Sequence, residues 1–112
     1  MSSNDDSNMD LDWGTRPPWA IALLIIEAHI RCCGYGPTYS EIAGWAGRTS
    51  RAWASIAVAE ATQRGMLERP ERRTMRAYEI TPKGKAWCAE FPGPEGLERW
   101  LVVCAAAQAR VN

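Results

Sequence analysis

The stretch from residue 34 to residue 69, "GYGPTYSEIAGWAGRTSRAWASIAVAEATQRGMLER", decides the fold. Its first half reads as a short capped helix. Thr38 is followed three residues later by Glu41, a capping box in which hydroxyl and carboxylate each satisfy an orphan backbone N–H. Ile42, Ala43 and Trp45 supply the buried side of that helix, and Gly47 ends it. Ser50 suits the N-cap of a second helix, which runs to about Arg64 and stops at Gly65. If Ala54, Ala57, Val58 and Ala61 turn to the core, then Arg51, Ala52, Ser55, Ile56, Ala59 and Thr62 turn to solvent. The outward face is short of polar side chains.

Working outward, "TRPPWAIALLIIEAHIRCCGYGP" precedes this pair. Pro17 and Pro18 suit a helix start, while Gly34, Gly36 and Pro37 enforce a stop. The helix between them is apolar nearly all round, from Trp19 to Ile30, with Glu27 and Arg31 as its clear polar pair. Such a helix is expected to pack on two sides, against its own core and against a partner. Downstream, "GMLERPERRTMRAYEI" reads as strand, turn, strand, with Tyr78 and Ile80 on one face and "PERRT" as the polar tip. Thr81-Pro82 opens a further helix, which "PGP" at 92–94 breaks. Leu97, Trp100, Leu101 and Cys104 then form a helical stripe that suits dimerisation or, nearly as well, packing onto the first helix of the same chain. The expected organisation is a disordered acidic leader over 1–14, a domain over 15–91 and a C-terminal dimerisation helix over 92–112.

With 112 residues, 46% of them hydrophobic, the chain has the size and core content of a single domain. Formal net charge is zero, yet the charge is unevenly placed. Residues 1–12 carry Asp5, Asp6, Asp10 and Asp12 and no base, whereas residues 62–85 carry four more bases than acids. The apolar run "WAIALLII" is too short to cross a bilayer, and the acidic start is unlike a signal peptide. A cytoplasmic protein with Cys32, Cys33, Cys88 and Cys104 as reduced thiols is expected, with no membrane partner.

Helix, helix, turn, helix and hairpin is the order of a winged helix-turn-helix, so the expected class is mainly α with a small β-hairpin and additional C-terminal helices. The stretch quoted at 34–69 resembles the DNA-binding domain of LexA-type repressors. The likeness lies in the Gly-Tyr-x-Pro-Thr approach, Glu41-Ile42-Ala43, and the 18-residue step from Gly47 to Gly65. "RAYEITPKGKAW" resembles the second wing strand and following helix of MarR- and PadR-type regulators. The resemblance implies a DNA-binding transcriptional regulator, bacterial or phage-encoded, acting on duplex DNA as a homodimer. With only 22 residues after Glu90, the chain is expected to lack the self-cleaving protease domain of LexA-type repressors. The base-contacting segment maps to residues 50–56. There Arg51, Trp53 and Ile56 depart from the small or acidic residues of that family, so base-level specificity does not carry over.

The residues expected to meet DNA are Thr38, Tyr39, Arg48, Thr49, Ser50, Arg51 and Ser55 on the two helices, and Arg69, Arg72, Arg73 and Arg76 on the hairpin. Arginine can hydrogen-bond guanine bidentately, serine is permissive, and an apolar side chain such as Ile56 can touch a thymine methyl. Arginines at a hairpin tip are placed for phosphate, which supplies most of the affinity and makes it salt-dependent. No enzyme is expected: His29, the single histidine, lies in the apolar first helix with no nucleophile nearby. No metal or cofactor is expected either, because adjacent Cys32 and Cys33 with distant Cys88 and Cys104 lack zinc-site spacing. The alternative is a module that modulates a host protein complex through the apolar face around Ile56.

Overall fold

Pro18 occupies the first turn of α1 (Pro18–Cys33), where a missing N–H costs nothing. Gly34 ends it at φ 88°, a left-handed conformation that glycine adopts without strain, and its N–H donates to the Ile30 carbonyl at 2.8 Å. Helix α2 (Tyr39–Trp45) begins with the capping box: Thr38 Oγ1 accepts from the Glu41 N–H at 3.1 Å, and Glu41 Oε1 accepts from the Thr38 N–H at 3.0 Å. Helix α3 (Arg51–Gln63) is capped by Ser50, whose Oγ accepts from the Trp53 N–H. Strands β1 (Leu67–Glu68) and β2 (Glu79–Ile80) pair antiparallel, with Leu67 opposite Ile80. Helix α4 (Pro82–Glu90) follows directly, capped by Thr81, and residues 97–99 and 101–102 are again helical. The computed structural model describes residues 11–69, 77–99 and 101–102.

Helix α1 runs through the centre. Its residues Leu23, Ile25 and Ile26 are fully enclosed, and α2, α3 and α4 all pack against it. The stripe α3 turns inward is Ala54, Ala57, Val58 and Ala61, as the helical period predicts. Side chains this small let the two helix backbones approach closely. The two-sided apolar surface of α1 is therefore covered within the chain, where the sequence suggested a partner.

Two expected boundaries shift. Leu11 and Trp13 fall within the leader read over 1–14, yet Trp13 is 6% exposed and donates its indole N–H to the Trp45 carbonyl at 3.0 Å. Leu11 also packs against the core. A Leu-x-Trp pair among aspartates has no period to mark it as structured. At the other end, Leu97 and Leu101 are 3% and 0% exposed and belong to the same core as α1. These two side chains are covered by their own chain. Trp100 and Cys104, read as the rest of that stripe, lie outside the described residues.

Helix α4 is seated by its first turn. Thr81 Oγ1 donates to the Gly65 carbonyl at 2.6 Å and accepts from the Gly84 N–H, while Lys83 Nζ donates to the Arg64 carbonyl at 3.1 Å. These bonds occupy carbonyls left open at the end of α3. Gly84 lies so close to Met66 that a Cβ there would collide with the Met66 carbonyl. Among the described residues, no helix is long and apolar enough to cross a membrane.

Candidate functional site

The surface built by α2, α3 and the base of the hairpin gathers most of the residues read as binding candidates. On the α3 outer face Arg51, Ala52, Ile56, Ala59 and Thr62 are exposed and Ser55 is half-buried. Ile56 is 68% exposed, flanked by alanines on the helix surface. Thr62 turns its hydroxyl back to the Val58 carbonyl at 2.9 Å, so it offers little to a ligand. Arg51, at the first turn, is the cation this face presents.

Several of the other candidates already have work inside the fold. Thr38 and Ser50 are caps, which uses their side-chain oxygens. Arg48 and Thr49 are exposed in the turn between α2 and α3, and the Arg48 guanidinium lies 5.2 Å from the Trp53 ring centre. Arg69 leaves β1 and donates from Nη1 to the Tyr39 hydroxyl at 3.0 Å. Its guanidinium also lies over the Tyr78 ring, 4.4 Å from the centroid, and 5.8 Å from that of Tyr39. Arg72, Arg73 and Arg76 lie outside the described residues. The part of Trp53 and Tyr78 was not foreseen from sequence. An aromatic residue announces burial, not the arginine that will stack on it.

A second concavity, of about 560 Å³, lies between α1, α4 and residues 92–98. Its floor includes Leu24, Ala28 and Leu97, and Glu27, Arg31, Lys85 and Glu98 lie around it. Arg31 bridges Glu27 at 2.8 Å and Glu98 at 2.6 Å, which holds its pKa above the ordinary value, chiefly through the Glu27 hydrogen bond. Cys88 also lines it, and burial pushes that thiol up to about 12. Cys32 is raised as well, again by burial. Thiols shifted this way stay protonated at neutral pH and are poor nucleophiles.

His29 is 6% exposed. Its Nδ1 lies 2.6 Å from the Tyr35 carbonyl and its Nε2 3.8 Å from Glu41 Oε1. A carbonyl only accepts, so Nδ1 carries the proton. The histidine thereby ties α1 to the α2 cap, with no serine, threonine or cysteine nucleophile among these contacts. Among the described residues, no three histidine, cysteine or acidic side chains gather as a metal site. Set against known proteins, the chain matches no family model, no curated protein and no solved structure.

Proposed function

We propose that this chain is a DNA-binding transcriptional regulator of the winged helix-turn-helix kind, with α3 entering the major groove and the hairpin following the sugar-phosphate backbone. One observation carries the reading: the α3 face from Arg51 to Ala59 is open to solvent, while the core contacts of that helix lie on the stripe of Ala54, Ala57, Val58 and Ala61. The element order and the adjacent hairpin support it. Small side chains at Ala52 and Ala59 allow close groove approach, Arg51 suits a guanine edge and Ile56 a thymine methyl. A homodimer fits operator symmetry, with contacts other than Leu97 and Leu101. A cytoplasmic site of action accompanies this role.

The test is fluorescence anisotropy on labelled genomic duplexes at two salt concentrations, with light scattering for the dimer. Wild type should bind with an affinity that falls steeply with salt, and Arg51→Ala should cost about 1–3 kcal/mol at one base position. Absence of salt-sensitive binding to any duplex overturns the proposal. The exposure of Ile56 beside Ala52 and Ala59 favours a second reading, a protein-docking face, because together they leave an apolar patch open. Loss of host-protein capture on Ile56→Arg, without DNA binding by wild type, would select it.

A further inference from the structure

We infer that Arg69, Tyr39 and Tyr78 form a clamp that fixes the base of the hairpin against the start of α2, so that Arg69 is a positioning residue and not a phosphate contact. Within the proposed function, this clamp holds β1 and β2 against the start of α2; that role rests on the DNA-binding reading.

Three chain segments meet at this one side chain. Tyr39 is the first residue of α2, Arg69 follows β1, and Tyr78 precedes β2. Among the described residues the sheet is two residues on each strand, so the ladder seen there offers few hydrogen bonds. Arg69 adds what the ladder lacks. Its Nη1 donates to the Tyr39 hydroxyl at 3.0 Å, and its planar guanidinium lies over the face of the Tyr78 ring, which is itself only 7% exposed. A guanidinium can stack flat on one ring while donating in its own plane to another residue. An ammonium has no such plane, so lysine would keep the charge and lose the geometry. Phosphate contact needs the opposite: charge matters most, and a half-buried group committed to two tyrosines presents little of it to solvent.

The distinction can be measured with three full-length variants, Arg69→Lys, Arg69→Met and Tyr39→Phe. Native-state hydrogen exchange at the amides of Glu68, Glu79 and Thr81, which point into the ladder, reads the clamp without any DNA. All three variants should speed that exchange about tenfold, the loss expected for one hydrogen bond or one cation–π contact. Tyr39→Phe should also leave the fold intact, since it removes a single oxygen. Unchanged exchange in Arg69→Lys and Tyr39→Phe would overturn the clamp. In the binding assay, Arg69→Lys should then weaken affinity as much as Arg69→Met. Full rescue by lysine would instead make Arg69 a phosphate contact and overturn the positioning role. If exchange accelerates but wild type binds no duplex, the clamp stands and the DNA-binding reading alone falls.

Discussion

Helices α1 and α3 are both rich in apolar residues, and they use them in opposite ways. In α1 the large side chains point inward on nearly every side, because three other helices surround it. In α3 the inward side chains are small, and the one large aliphatic residue, Ile56, points out. All the large aliphatic residues of α1 except half-buried Ile30 are buried, whereas Ile56 is exposed. With exposed Ala52 and Ala59 beside it, Ile56 makes an apolar patch on the outer face of α3, and a contiguous apolar patch is where a second molecule should be sought.

The strongest challenge to this contrast comes from the C-terminal residues that complete the enclosure of α1. Leu101 is fully enclosed. Leu101→Asp should cost more than about 4 kcal/mol, since it removes apolar packing and buries an unpaired carboxylate. Urea denaturation should show loss of the folded state. A folded monomer, made from a wild-type dimer, would mean that this leucine serves a second copy after all.

A smaller effect is expected where α3 crosses α1. Ala57 has no exposure and lies on the inward stripe of α3. Ala57→Leu should destabilise by about 1–3 kcal/mol through overpacking, read as a lower urea midpoint. An unchanged midpoint would show room between the helices that the packing does not display.

What sequence could foretell follows the same division between local and distant causes. The capping box of Thr38 and Glu41 was legible because both partners lie within four residues and answer the same turn of backbone. The inward stripe of α3 was legible from its period. Periodicity shows that Leu97 and Leu101 must be buried, but not whose surface buries them. Trp13 escaped because it bonds Trp45, thirty-two residues away, and Leu11 because it lies beside Gly96, farther still along the chain. The Arg69 contacts with Tyr39 and Tyr78 escaped for a like reason: nothing local at any of the three predicts the other two.

The cleft beside α4 supplies a pH test of the packed side. The Cys88 thiol is pushed from its ordinary 9.0 up to about 12 by burial, so the folded chain holds this proton more tightly than the unfolded chain. Its contribution to stability is complete below the ordinary thiol pKa and declines as pH rises from 9.0 toward about 12. Cys88→Ala should flatten the alkaline limb of a stability–pH profile. A limb as steep as in wild type would assign the loss to another group.

The smallest expected effect on stability is at Ile56, and there the contrast between the two helices is sharpest. With 68% of its surface open, Ile56→Ser removes little buried area, so stability should stay within about 0.5 kcal/mol of wild type. Serine also lowers helix propensity slightly, which accounts for a drift of a few tenths within that range. Binding should respond differently. If α3 lies in the major groove with Ile56 against a thymine methyl, Ile56→Ser should weaken binding at one position of the site and leave the salt slope unchanged, because no charge is altered. Arg51→Ala should shallow that slope if Arg51 also neutralises a phosphate. An unfolding free energy that fell by about 2 kcal/mol or more would mean that Ile56 packs within the chain, and the contrast with α1 would collapse. An unchanged midpoint with unchanged binding to every duplex would leave the exposed isoleucine to a protein partner, which a pull-down with the same variant would reveal.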